Sequence, residues 1–205
     1  MVSEKTPRPY RKRRRAELEA ETRQRITEAT VQLHGTVGPA RTTIKDVAAT
    51  AGVQRATVYR HFPDLESLFD ACSAHWASLN PPPDPAAWEG KPLVGALREL
   101  YDWFQWGEAM LVNVRRDLPL VPAMAGARAA FDARFAALHA ALMRGRPKRK
   151  RVAAAVGHAL QFETWRSLTS QQGLSNRDAV GLMVALIDAA SDASVRRLPD
   201  SARRQ

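Results

Sequence analysis

This 205-residue chain is short of several things, and each shortage excludes a class of protein. It has one cysteine, Cys72, so no internal disulfide framework can form, and a reducing, cytoplasmic setting is expected. The longest stretch without Asp, Glu, Lys or Arg is 71–83, thirteen residues that include His75, Asn80 and three prolines. A spanning helix needs about twenty mostly apolar residues, so no membrane partner is expected. The basic N-terminus runs into Glu17, Glu19 and Glu21 rather than an apolar stretch, which argues against a secretory signal. Catalytic signatures are missing too. There is no Gly-x-Ser-x-Gly, no Gly-rich phosphate loop and no His-Glu-x-x-His, the five histidines (34, 61, 75, 139, 158) form no i,i+4 pair, and Cys72 has no companions for a zinc site. The expectation is a protein that is not an enzyme and has no cofactor and no metal.

Acidic residues are also scarce, 21 against 31 Lys+Arg, which gives a net charge of +10. The excess is not spread evenly. Residues 1–16 hold Lys5, Arg8, Arg11, Lys12, Arg13, Arg14 and Arg15 against Glu4. With Pro7, Pro9 and no apolar period, 1–16 reads as a disordered basic arm, either a nucleic-acid contact or a solubilising tail. A second run, Arg144 to Arg151, reads as a solvated loop or a phosphate binder. The tail 199–205 is expected to be flexible.

Between these, the pattern is helical throughout, without strand alternation or internal repeats. Ile26, Ala29, Thr30, Leu33 and Val37 mark one face of a helix ending near 35–38. Thr43-Ile44-Lys45-Asp46 is a capping-box pattern opening a short helix with Ile44, Val47, Ala48 and Ala51 inward. Gly52 supplies its stop. Residues 54–61 form another short helix, with Val53, Val58 and Phe62 inward, and Asp64 caps a fourth. The proline-rich 80–85 marks a boundary between domains at 17–80 and 86–198. Beyond it, helices are expected over 92–105, 107–117, 123–143, 151–171 and 176–195. The fold class is therefore all-α with about nine helices, a three-helix N-terminal unit followed by a helical bundle.

The segment 43–61 has the form of a helix-turn-helix, whose second helix enters the major groove while the first braces it. Gln54, Arg55 and Thr57 sit at the start of that helix, where side chains reach base edges, with the small Ala56 among them. Gln matches adenine, Arg matches guanine bidentately, and Ala allows close approach to a thymine methyl. Tyr59, Arg60 and His61 lie further on and suit phosphates, which position without specifying. Thr22-Arg23-Gln24-Arg25-Ile26, Thr42-Thr43-Ile44-Lys45-Asp46-Val47-Ala48, Ala51-Gly52-Val53, Thr57-Val58-Tyr59-Arg60-His61-Phe62-Pro63 and Glu66-Ser67-Leu68 together resemble the TetR family over about 22–76. The resemblance implies a homodimeric transcriptional regulator, usually a repressor, working on operator DNA in the bacterial cytoplasm and nucleoid. It implies base approach by Gln54, Arg55 and Ala56 and phosphate contact by Thr43, Thr57, Tyr59 and His61. Lys45 and Arg60 are counted with these contacts. Leu65 departs from the pattern, standing where the family often has a phosphate-binding lysine. That leaves a second reading, a helical ligand-binding or protein-interaction module with lost or non-specific DNA binding.

The helices beyond residue 86 carry an aromatic set: Trp103, Phe104, Trp106, Met110, Phe131, Phe135, Phe162 and Trp165, with His139, His158, Gln161 and Glu163 as polar candidates. These read as plain core or as the pocket for the small-molecule inducer that the resemblance implies. The final helix is apolar on two sides, one stripe being Val180, Met183, Val184, Ile187 and Ala190, the other Ala179, Leu182, Leu186, Ala189 and Ala193. Such a helix must bury both. With Ala153, Val156, Gly157, Leu160, Thr164 and Leu168 before it, a four-helix dimer interface is expected through Val156, Leu160, Thr164, Val180, Met183, Val184 and Ile187. Burial inside one chain is the alternative.

Overall fold

The computed structural model describes residues 8–192. Among them it is all-α, with nine α-helices and no strand. Residues 1–7 of the expected arm, the expected end of the last helix at Val195 and the tail 199–205 lie outside the described residues. The helices fall into two compact units. The first runs through Pro81 and takes in Gly107–Ala130; the second comprises Pro82–Trp106 and the described residues from Phe131 on.

In the first unit α1 spans Arg8–Thr36, α2 Ile44–Ala51, α3 Arg55–His61 and α4 Leu65–Leu79. The stretch expected as a disordered arm is thus helical from Arg8. The reason is local: Pro9 falls in the first turn, where its missing N–H costs nothing, and Arg13–Glu17 (3.0 Å) and Arg15–Glu19 (3.1 Å) pair at i,i+4. The Thr43–Asp46 capping box forms in full. The Thr43 hydroxyl accepts from Asp46 N–H at 3.2 Å, and the Asp46 carboxylate accepts from Thr43 N–H at 3.2 Å. Gly52 ends α2 in the left-handed region (φ 65°), its N–H bonding back to Ala48 and Ala49. Asp64 caps α4 by accepting from Ser67 N–H at 2.7 Å. Ile26, Ala29, Val47, Ala48, Ala51, Val58, Phe62 and Leu68 form the core, with Leu33, Ile44 and Val53 packed on its edge.

The expected break near Gly107 is absent. One helix, α5 (Leu93–Asp117), runs through it, in the second unit up to Trp106 and in the first from Gly107. A Cβ at Gly107 would lie 2.8 Å from Trp76 Cζ2 of α4, so this glycine serves close packing rather than a stop. The end of α5 holds the α1–α2 turn. Asn113 donates to Gly35 O (3.0 Å), Arg116 to Val37 O (3.1 Å), and the buried Asp117 carboxylate accepts from Ala40 N–H (3.0 Å). Arg116 beside it keeps the Asp117 carboxyl below the usual carboxylate range. Gly38, at φ 95°, leaves no room for a Cβ against these two side chains.

In the second unit α6 spans Ala125–Met143, entering it at Phe131, α7 Lys150–Ala159, α8 Phe162–Arg166 and α9 Asn176–Ser191. The helix expected over 151–171 is broken at Gln161, which is extended (φ −79°, ψ 136°), and closes with a π-helical turn, Ser167–Gln171. On a straight helix Leu160 and Phe162 would point about 200° apart. The extended residue lets both turn inward, and both are buried. The basic run is structural in part. Arg151 Nε donates to Ala190 O (2.7 Å) and Arg149 to Ser191 O (3.4 Å), capping the carbonyl end of α9, while Arg144 pairs with Glu89.

His34 gives this fold a pH dependence. Its buried ring has Nδ1 3.4 Å from Cys72 Sγ and stacks obliquely on Phe69, while Nε2 has no hydrogen-bond partner. Burial lowers its pKa from the ordinary 6.5 to about 4, against the opposing pull of Asp117, and raises the Cys72 thiol to about 12. Between these two His34 values the unfolded chain binds a proton that the native chain refuses, so stability is lost as pH falls from about 6.5 to 4. The shift corresponds to about 3 kcal/mol. We expect His34→Asn to lose less unfolding free energy than the native chain between pH 7 and 4, read from urea melts; parallel losses would contradict this.

Candidate nucleic-acid interface

The second helix of the helix-turn-helix, α3, has seven residues and turns one side chain, Val58, fully into the core. Phe62 follows it inward and closes the helix, its N–H bonding to Val58 O at 2.8 Å. The opposite side stands in solvent. Gln54, Arg55, Ala56, Tyr59 and Arg60 are exposed, and Thr57 and His61 are half-buried. Gln54 is the extended residue before the helix and makes no side-chain cap, so its amide is not consumed there. The arrangement presents Gln54, Arg55 and Ala56 at the leading end and Tyr59, Arg60 and His61 at the trailing end.

Thr43 and Lys45 open α2 and are exposed. The Thr43 hydroxyl is already engaged. Besides accepting from Asp46 N–H, it donates to the Asp46 carboxylate at 2.6 Å, which holds that carboxyl below its usual range. Any phosphate meeting Thr43 would compete with this bond. Lys45 has no such commitment in the cap. Leu65, at the start of α4, is exposed and offers a phosphate nothing.

A residue that the helix-turn-helix pattern alone does not reveal holds the trailing end in place. Arg23 of α1 donates to His61 O at 2.6 Å and lies 4.0 Å from the centre of the Phe62 ring. It satisfies a carbonyl at the C-terminus of α3 and places a cation where the helix dipole favours one. Burial and the cations of Arg60 and Arg23 lower the His61 pKa, which favours the uncharged ring.

The aromatic set of the helical bundle is brought together only in part. Phe104 is its centre, with Trp103 at 5.7 Å, Phe162 at 5.4 Å, Trp165 at 5.8 Å and Phe135 at 6.2 Å between ring centroids. Phe131 stacks on Phe135 at 4.3 Å. Trp106 is 50% exposed. Met110 belongs to the first unit, beside Gly35 of α1. His139 spends Nε2 on Ala153 O at 3.0 Å, and His158, Gln161 and Glu163 are exposed. Helical spacing could not separate these, because each of them falls in an amphipathic stretch.

The residues expected at the dimer surface are largely covered within the chain itself. Val156, Leu160, Thr164, Val180, Met183 and Ile187 are buried within the single chain, and Val184 is half-buried. α7 packs on α9 within this unit. The open stripe is the other one: Leu182 and Leu186 are 48% and 41% exposed, and Ala185 and Ala189 are exposed beside them. Ala179, expected on that stripe, is buried instead.

Residues 26–72 match the sequence profile of the bacterial regulatory proteins, tetR family. Among solved structures, a TetR transcriptional regulator from Rhodococcus sp. RHA1 aligns over 85% of this chain and 97% of its own, at 23% identity and a TM-score of 0.41. No curated protein matches the chain.

Proposed function

We propose that this chain, which belongs through residues 26–72 to the bacterial regulatory proteins of the tetR family, is a homodimeric transcriptional repressor that leaves a palindromic operator when a small molecule binds. The observation that carries the reading is the solvent-facing edge of α3, with Gln54, Arg55 and Ala56 leading, on a core that fixes its opposite side. In the major groove, Arg55 pairs with a guanine, Gln54 with an adenine, and Ala56 meets a thymine methyl. Thr57, Tyr59, Arg60, His61 and Lys45 hold phosphates on either side. Thr43 serves mainly as the cap of α2.

The dimer is assigned to the open stripe Leu182, Ala185, Leu186 and Ala189 of α9. Two recognition helices then read half-sites one helical turn or more apart. The inducer is assigned to the helices beyond residue 86, around Phe104. It releases DNA by binding more tightly the form whose recognition helices are wrongly spaced. Such a protein works in the bacterial cytoplasm, on the nucleoid, and catalyses nothing.

Two substitutions test this. Arg55→Ala is expected to lose about 1–3 kcal/mol of discrimination at one base pair per half-site while leaving affinity for random duplex nearly unchanged. Equal losses on operator and random DNA would remove Arg55 from base reading. Leu186→Asp puts a charge into the open stripe and is expected to turn a dimer into a monomer in sedimentation. An unchanged mass would contradict the assignment of this surface.

A further inference from the structure

The first two turns of α1 carry Arg8, Arg11, Lys12, Arg13, Arg14 and Arg15 and no acidic residue. From residue 10 to residue 21, every side chain whose exposure is described is exposed. The same helix, further on, is the one that abuts α3: Arg23 bonds to His61 O, and the Glu19 charge reaches the His61 ring. The basic turns therefore extend from the trailing end of the recognition helix. Arg8 lies about 22 Å along the axis from Arg23, at about 1.5 Å per residue. Glu17 and Glu19 offset Arg13 and Arg15. Four residues from Lys12 stands Ala16, and four from Arg14 stands Leu18, so neither gains a carboxylate at that spacing.

We propose that these turns of α1 lie along the DNA backbone outside the bases read by α3 and bind phosphates there. The proposal rests on the DNA-binding reading above and extends its footprint. A helix about 10–12 Å across does not fit a minor groove about 6 Å wide, so the contact is with phosphates and is indifferent to sequence. The two basic turns, eight residues at about 1.5 Å each, cover about 12 Å, or roughly three to four base pairs at about 3.4 Å per pair. An anionic membrane would also attract the charge, but a membrane-surface helix needs a continuous apolar face. Tyr10 and Leu18, the exposed large apolar residues of this stretch, do not make one.

The test uses the full-length protein and two duplexes built on a site selected from random DNA. One is trimmed to the bases α3 covers; the other adds about ten arbitrary base pairs on each side. The native chain is expected to bind the longer duplex about tenfold more tightly. The combined variant R8Q, R11Q, K12Q and R14Q should lose that gain while binding the trimmed duplex as before. Its salt slope on the longer duplex should fall by roughly 0.9 for each phosphate it no longer neutralises. Glu17→Gln, which frees Arg13, should widen the gap between the two duplexes. Equal flank dependence in native chain and combined variant overturns the proposal. So does specific binding with no flank effect, and native-only binding to anionic lipid vesicles would then assign these turns to a membrane surface. Failure to select any site overturns the DNA-binding reading itself, and this proposal with it.

Discussion

A seven-residue helix does not hold its shape alone in water, because nucleating it fixes more dihedrals than its few hydrogen bonds repay. The recognition helix α3 is such a helix, and the design of the first unit follows from supporting it. Val58 and Phe62 insert against Ile26 and Leu68, Gly52 lets the chain reverse after α2, and Arg23 ties the last carbonyl of α3 to α1. The Val58 and Phe62 contacts lie on the side of α3 away from solvent. The exposed side is thereby fixed in direction without using any of the groups that could meet a base.

The α1–α2 turn depends on α5 in a similar way. Asn113, Arg116 and Asp117 bond the backbone of Gly35, Val37 and Ala40 in that turn, and Gly38 gives them room. A buried carboxylate needs such partners, since an unpaired one would be costly. The basic run 144–151 follows the same logic with the signs reversed: Arg149 and Arg151 meet carbonyls at the end of α9. A positive run in the sequence is therefore not one kind of feature in this protein.

The N-terminal unit was legible in the sequence because its signals are local. The Thr43–Asp46 box, the Gly52 stop and the inward positions of α2 and α3 lie within a few residues of what they determine, and the structure contains each of them. What was not legible depends on distant partners. Gly107 reads as a break until Trp76 is seen against it. Residues 8–16 read as an arm because their helix is held by paired charges rather than by an apolar face. Two apolar stripes on α9 look alike in sequence, and only the packing of α7 shows which is used within the chain. The break at Gln161 has no local signal, since its cause is the burial of residues on both sides of it.

The central claim is that the solvent-facing edge of α3 reads base sequence, twice, in a symmetric dimer. Selection of binding sites from random duplex DNA by the full-length protein, at about physiological salt, tests it most directly. The account predicts a palindromic consensus whose half-sites are separated by one helical turn or more. Salt-sensitive binding with no enriched sequence would contradict it, leaving a basic surface that holds DNA without reading it.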